Sequence, residues 1–163
     1  MELYLLRHGI AEDQRAGEPD SSRPLTSDGQ KKLAAVLRRA EESGAAPSLI
    51  LSSPYLRAVQ TARAAAEIFH YQSEVIQTKC LTPDGIPQQV WNEIREYRSE
   101  PAILLASHEP LLSQLVAHVL ASPALRMEMK KATMVKIDVD ASKSQPHGIL
   151  RWMLTPGLVG KQI

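Results

Sequence analysis

The chain has 163 residues, a length that suits one globular domain whose core needs neither disulfides nor a structural metal. Its 19 basic and 18 acidic residues leave a formal net charge of +1, which provides no overall field for nucleic acid or an anionic membrane. The single cysteine, Cys80, excludes an internal disulfide, and the paired cysteine and histidine spacings of a structural zinc site are absent. We therefore expect one domain over residues 1–163 that is cytoplasmic and monomeric, with no nucleic-acid or membrane partner.

No stretch of the sequence is typical of a membrane or export segment. The acidic second residue and short apolar start differ from the basic start and longer apolar core of a signal peptide. The apolar runs fall far short of the roughly 20 residues that cross a bilayer. Both features agree with the expected cytoplasmic setting.

The first predicted strand leads directly into polar residues. Residues 3–6 are a short apolar run, which predicts a buried strand that ends at Arg7 and His8. We expect Gly9 to let the backbone turn tightly beside His8. Residues 10–25 are polar and contain a glycine and two prolines, which predicts an irregular loop of the kind that compact domains keep for function.

A helix and a second strand follow this loop. Apolar residues recur at helical spacing over residues 27–43, where Thr26 suits the N-cap and Gly44 the stop. Residues 49–51 then predict a second short buried strand.

The second strand leads into an alanine-rich helix that extends to about Phe69. Ser53 suits the N-cap of this helix, and Pro54 suits its first position because proline has no N–H to leave unbonded there. Arg57 is then in the first turn, close to the free backbone N–H groups and the positive end of the helix dipole.

The next segment repeats the alternation of strands and helices. Residues 75–76 predict a short strand and residues 90–97 a helix. Residues 102–106 predict a buried strand that ends beside His108, and Pro110 opens a helix with one apolar stripe.

The last third of the chain alternates apolar and polar residues. Residues 134–139 and 149–154 predict two strands that pair as an antiparallel edge hairpin. Because strands alternate with helices before this point, we predict an α/β fold, a single three-layer domain in which a mostly parallel sheet is flanked by helices on both faces. In such folds the ligand crevice lies outside the carboxyl ends of the strands.

Two arginines and two histidines are predicted to meet at that crevice: Arg7, His8, Arg57 and His108. Guanidinium groups bind phosphate oxygens through a bidentate fork and remain charged. A neutral imidazole beside them can attack phosphorus, and the arginines disfavour its protonation. Each residue alone also fits an ordinary loop or helix position, so the prediction of a phosphate site depends on their joint placement.

Four segments together resemble a known family: residues 5–9 (Leu-Leu-Arg-His-Gly), 23–29, 52–62 and 107–110. In their order and spacing they resemble the histidine phosphatase superfamily, also called phosphoglycerate-mutase-like, over nearly the whole chain. The short chain and its Arg-Pro-Leu-Thr segment are similar to the small bacterial phosphohistidine phosphatases of the SixA type. The resemblance implies metal-independent transfer of a phosphoryl group to a histidine, followed by hydrolysis.

The resemblance also implies a role for each matched residue. His8 would be the nucleophile that becomes phosphorylated, while Arg7 and Arg57 would bind the phosphoryl oxygens. His108 would complete the pocket, and Arg23 would be a further phosphate contact. We expect no cofactor and no metal, since the five histidines show no two-histidine-plus-carboxylate spacing.

Two carboxyl groups are candidates for a general acid. Relatives that hydrolyse phosphomonoesters carry such a group between the second arginine and the second histidine or directly after that histidine, which corresponds here to Asp84 and Glu109. Asp84 also fits a plain turn before glycine, and Glu109 also fits the dipole of the helix that Pro110 opens. Ser53 and residues 60–61 are expected to be cap and helix-packing residues.

Three functions fit this pattern. The favoured one is a phosphatase for phosphohistidine on a signalling or phosphotransfer protein, with phosphate as product. The second is a broad small-molecule phosphomonoesterase or a mutase, of which the mutase is disfavoured because mutases of this family are longer and carry serine and asparagine where residues 10–13 are Ile-Ala-Glu-Asp. The third is a non-catalytic phosphate-binding module, which is disfavoured because all four core positions hold competent residues.

Overall fold

A computed structural model of the protein describes residues 1–160. Within them one sheet contains six strands, β1 Glu2–Arg7, β2 Leu49–Ser52, β3 Ile76–Gln77, β4 Ala102–Ser107, β5 Met134–Asp138 and β6 Ile149–Leu154. Five α-helices accompany them, α1 Ser27–Glu42, α2 Leu56–Ile68, α3 Pro87–Glu96, α4 Leu111–Val119 and α5 Pro156–Val159. Short 3-10 helices occupy Asp20–Ser22 and Lys79–Leu81.

The strands follow the order β3-β2-β4-β1-β5-β6, and the first four in this order are parallel to one another. β5 runs antiparallel to β1, and β6 runs antiparallel to β5 at the edge of the sheet. This arrangement confirms the predicted α/β fold with a mostly parallel sheet and a C-terminal antiparallel hairpin. None of the helices in residues 1–160 is both long enough and apolar enough to span a bilayer.

Alternate residues of β1 face opposite layers of helices. Leu3 and Leu5 pack with side chains of α3 and α4, whereas Tyr4 and Leu6 pack with side chains of α1 and α2. All four side chains are fully buried, as expected for a parallel strand that is covered on both faces. Two cores therefore hold the central strands, and the residues that follow the strand ends are built on a rigid support.

The start and stop of α1 agree with the sequence prediction. Thr26 is the N-cap, and its hydroxyl oxygen accepts the backbone N–H of Gly29 at 2.9 Å. Gly44 follows the helix with φ +86°, a left-handed conformation that favours glycine.

The predicted start of α2 is wrong. The helix begins at Leu56, with Tyr55 at the N-cap, two residues later than expected for Ser53 and Pro54. The hydroxyl oxygen of Ser53 accepts the backbone N–H of Tyr55 at 3.3 Å just ahead of the helix, and the buried side chain also hydrogen-bonds to His108. Arg57 still lies in the first turn, as predicted.

Candidate active site

The carboxyl ends of β1 and β4 lie side by side. Arg7 pairs with Ser107 in the parallel register, so His8 and His108 are the next residues on two neighbouring strands. The backbone N–H of His8 donates to the carbonyl oxygen of Ser107 at 3.0 Å, which continues this pairing beyond the strand. The imidazole rings of His8 and His108 consequently lie with their centroids 5.1 Å apart.

The ring of His8 is held in one tautomer. Its Nδ1 lies 2.7 Å from the carbonyl oxygen of Gly9, which can only accept a hydrogen bond, so Nδ1 carries the proton. Nε2 is then the unprotonated nitrogen, and it accepts a hydrogen bond from Nε of Arg57 at 3.3 Å. The side chain is 5% exposed, so the lone pair of Nε2 faces a guanidinium group inside a nearly closed pocket.

Both histidines of this pocket are neutral at neutral pH. Burial and, to a smaller extent, the charges of Arg57 and Arg7 together lower the pKa of His8 to about 3, although the hydrogen bond to the carbonyl of Gly9 has a raising effect. Burial, followed by the neighbouring His8 and the charge of Arg57, lowers the pKa of His108 to about 3. The neutral nucleophile was expected from the nearby arginines, but loss of water around the ring is the larger cause.

Arg57 is oriented by Asp20, which lies in the loop before α1. The backbone carbonyl oxygen of Asp20 accepts from Nη1 of Arg57 at 2.8 Å, and its carboxylate Oδ2 accepts from Nη2 at 3.0 Å. The carboxylate Oδ1 accepts in turn from Nε of Arg23 at 2.7 Å. These charged partners hold the pKa of the Asp20 carboxyl below its usual value, although its partial burial has a raising effect. Asp20 is a site residue that sequence reasoning missed; its signal was an acidic residue three positions before an arginine in a long loop.

Arg7 has one buried donor without a partner in residues 1–160. Its Nη1 donates to the carbonyl oxygen of Met129 at 2.6 Å. Its buried Nε has no hydrogen-bond partner within residues 1–160. Burial lowers the pKa of Arg7, and the charges of Glu109 and Glu128 oppose this effect.

His108 is held by Ser53, which the sequence reading assigned to a helix cap. Nε2 of His108 lies 2.8 Å from the hydroxyl oxygen of Ser53, and both side chains are buried. The ring edge also packs against Tyr55, with centroids 5.0 Å apart. Nδ1 of His108 is buried and has no partner in the described part of the chain.

Gly9 is required by close packing rather than by a left-handed turn. A Cβ at this position would lie 3.2 Å from the carbonyl oxygen of Gly29 and 3.3 Å from Cδ2 of Leu25. Its φ is not among the positive glycine values, which corrects the expected reason for glycine here. The backbone N–H of Gly9 donates to the hydroxyl oxygen of Thr61 at 3.1 Å, and Thr61 donates to the carbonyl oxygen of Arg57. Thr61 thus links the backbones that carry His8 and Arg57.

The sequence and the fold match known phosphatases. The family model for the histidine phosphatase superfamily (branch 1) matches residues 3–82. A curated relative, the phosphohistidine phosphatase SixA of Escherichia coli, is 27% identical over 158 residues, which cover 96% of this chain and 94% of that protein. An uncharacterised protein of Picosynechococcus is 34% identical over 152 residues, which cover 90% of each chain.

A solved structure of the protein histidine phosphatase SixA complexed with tungstate has a TM-score of 0.86 to this chain, with 26% identity and coverage of 98% of this chain and 99% of that one. The chain belongs to the histidine phosphatase superfamily. It is a phosphatase.

Arg23 and Glu109, two further residues predicted for the site, form their hydrogen bonds with residues other than His8 and His108. Arg23 donates to Asp20 and, through Nη1, to the carbonyl oxygen of Glu12 at 2.9 Å. Arg23 therefore contacts Asp20, the residue that orients Arg57, and it is Arg57 that contacts His8. Glu109 accepts the backbone N–H of Ser113 at 2.8 Å and so completes the first turn of α4.

Asp84 lies in an exposed turn of this phosphatase. Its carboxylate accepts the hydroxyl of Thr82 at 2.7 Å, and this hydrogen bond lowers the pKa of Asp84. The geometry is that of the plain turn that the sequence reading kept as the alternative. Among residues 1–160, no group of three or more histidine, cysteine, aspartate or glutamate side chains is placed to hold a metal ion.

Proposed function

We propose that this phosphatase removes the phosphoryl group from phosphohistidine on another protein and that His8 is its nucleophile. The observation that carries the proposal is the unprotonated Nε2 of His8, which is fixed by the hydrogen bond between Nδ1 and the carbonyl of Gly9. A pKa of about 3 keeps this nitrogen available across the physiological pH range. The similarity to SixA, a phosphohistidine phosphatase, supports the same substrate class.

The reaction has two steps at Nε2 of His8. In the first, the lone pair of Nε2 forms a bond to phosphorus while the P–N bond of the substrate breaks, and its electrons remain on the departing imidazole. In the second, water attacks the phosphorus of phospho-His8, the new P–N bond breaks, and inorganic phosphate leaves. The neutral imidazole of His8 is then restored, and no oxidation or reduction takes place in either step.

Several unused donors are available for the phosphoryl oxygens. Arg7 has a buried Nε without a partner, and Arg57 uses only three of its five N–H donors for Asp20 and His8. We assign the proton of neutral His108 to Nδ1, since the hydroxyl of Ser53 can donate to Nε2. These donors would be fixed before the charge of the transferring group develops, which is the arrangement that stabilises such transition states.

The leaving group favours phosphohistidine over a phosphate ester. An alkoxide needs a proton from a positioned acid, which contributes roughly 10²–10⁴ in rate. Imidazole has a reference pKa of about 6.5, so its ring can be protonated near neutral pH and leave as a neutral molecule. Asp84 is exposed with a lowered pKa, and Glu109 is engaged with the N-terminus of α4, so neither is arranged as a buried protonated acid.

The test compares kcat/KM for a histidine-phosphorylated protein with kcat/KM for a panel of phosphomonoesters, without added metal. We expect phosphohistidine to be preferred by roughly 10²–10⁴, the factor that a missing general acid costs an ester. Asp84→Asn and Glu109→Gln should change phosphohistidine hydrolysis only modestly, while His8→Ala should abolish it.

Two results would favour the other functions. A preference for sugar phosphates that either carboxyl substitution abolishes would establish a small-molecule phosphomonoesterase. Phosphate binding without turnover of any substrate would establish a non-catalytic binding module.

A further inference from the structure

A second cavity adjoins the proposed phosphoryl site and shares Arg7 with it. Its volume is about 560 Å³. Part of its lining is apolar and includes Ala132. The charged residues of the lining are Arg7, Lys32, Glu128, Lys130 and Lys131. The cavity therefore presents four cations and one carboxylate, although the chain as a whole has a formal net charge of only +1.

Two of the lysines are free to meet a partner. Lys130 and Lys131 are exposed, and neither forms a salt bridge within residues 1–160. Lys32 pairs with Asp28 of the same helix at 2.9 Å, an exposed pair that costs little to exchange. An exposed cluster with an excess of cations attracts carboxylates and speeds encounter with an acidic surface.

The segment that carries these lysines is tied to the backbone around His8. The N–H of Ala132 donates to the carbonyl oxygen of His8 at 3.0 Å, and the N–H of Arg7 donates to the carbonyl oxygen of Thr133 at 3.0 Å. The charge of Lys131 contributes to lowering the pKa of His8, which agrees with this proximity. A substrate that places phosphorus at His8 would therefore also lie against the lysines.

We propose that the cavity beside Arg7 is a docking subsite for carboxylate side chains of the substrate protein, read by Lys130 and Lys131. The inference rests on the proposed function, since it concerns residues that flank the phosphohistidine. The subsite would take carboxylates a few residues from the phosphohistidine, since an extended chain spans about 3.3 Å per residue. The subsite selects acidic phosphohistidine segments over neutral ones.

The test uses two synthetic peptides of equal length, each with one phosphohistidine. One carries glutamate at the flanking positions, and the other carries glutamine there. For the wild-type protein we expect kcat/KM to be at least tenfold higher for the glutamate peptide. The double variant Lys130→Glu, Lys131→Glu should lose this preference or reverse it.

Lys143→Glu is the matched control. Lys143 is exposed in the loop after β5. In this loop the N–H of Val139 donates to the carbonyl oxygen of Met1, beside the N-terminal end of β1, whereas His8 follows the opposite end of that strand. This variant should keep the peptide preference within twofold of the wild type.

The outcomes separate this inference from the proposed function. Hydrolysis of both peptides without a preference, or a preference that survives the double charge reversal, would overturn the docking subsite and leave the phosphohistidine activity established. Failure of the wild type to hydrolyse either peptide or a histidine-phosphorylated protein would overturn the proposed function, and the subsite with it.

Discussion

Two oxygen atoms of Asp20 accept hydrogen bonds from one side of the Arg57 guanidinium group. The backbone carbonyl oxygen is 2.8 Å from Nη1 and the carboxylate oxygen 3.0 Å from Nη2, while Nε of Arg57 points to His8 at 3.3 Å. The guanidinium plane is thereby set by a loop residue 37 positions away in sequence. Because Arg57 is only 4% exposed, these two hydrogen bonds orient its remaining N–H donors inside the pocket.

The Asp20–Arg57 pair predicts a positioning effect on turnover. Asp20→Ala should lower kcat roughly tenfold, since a hydrogen bond to a charged group contributes about 1.5–3 kcal/mol and the half-exposed Asp20 carboxylate retains the lower part of that range. Asp20→Asn keeps an acceptor oxygen and should lose less. Inhibition by inorganic phosphate should weaken little or even strengthen, because a negative charge leaves the pocket. Equal losses of turnover and phosphate affinity would instead indicate general damage to the site.

The positions of the two histidines could be predicted because they depend on regular structure. Apolar runs identify β1 and β4, and parallel strands place their carboxyl ends at the same end of the sheet, so His8 and His108 were expected on one side of it; the direct pairing of β1 with β4 is a result of the structure. The contacts of Asp20 could not be predicted, since an irregular loop has no periodicity that fixes where its side chains point. The hydrogen bond between Ser53 and His108 could not be predicted either, because a serine before a proline suits a helix start whether or not its hydroxyl also reaches the end of a neighbouring strand.

The close packing at Gly29 predicts that Gly29→Ala lowers the thermal stability of the protein. A Cβ there would lie 2.2 Å from the carbonyl oxygen of Ile10, a backbone atom two residues after His8. Gly29→Ala gains about 1 kcal/mol of helix propensity, but backbone overlap of this severity costs at least the 1–3 kcal/mol typical of overpacking. With the overlap at about 3 kcal/mol, the upper end of that range, the net loss is about 2 kcal/mol, and we expect Tm to fall by roughly 4–8 °C, at about 2–4 °C per kcal/mol for a chain of this size.

Gly157→Ala is the control for Gly29, because a Cβ at Gly157 meets no atom of residues 1–160 within 4 Å. Thermal unfolding of this variant should occur at the wild-type temperature or a few degrees above it, since alanine also gains helix propensity in α5. If Gly29→Ala also unfolds at the wild-type temperature, the close packing of α1 against the segment after His8 is wrong.

The neutral histidines predict how stability depends on pH. Folded His8 and His108 have pKa values of about 3, below the roughly 6.5 of an unfolded histidine. Between these values the unfolded chain binds protons that the folded chain does not. The free energy of unfolding should therefore fall as pH decreases from about 6.5, by up to about 1.4 kcal/mol per pH unit for each histidine, with no further loss from them below about 3.

Urea midpoints at about pH 7.5 and about pH 5 measure this effect above the range where most carboxylates titrate. His108→Gln should show a smaller difference between the two midpoints than the wild type. His147→Ala, which removes an exposed histidine, should retain the full difference. An unchanged difference in His108→Gln would contradict a depressed pKa for His108.

The most direct test of the account is to trap the phosphorylated enzyme. The protein is mixed with a histidine-phosphorylated protein, quenched in base within milliseconds to seconds, digested and analysed by mass spectrometry. We predict a base-stable, acid-labile phosphoryl group on His8 and none on the His8→Ala variant, which should still fold because His8 follows β1 and lies outside both apolar cores. A phosphoryl group on another residue, or turnover by His8→Ala, would contradict the account.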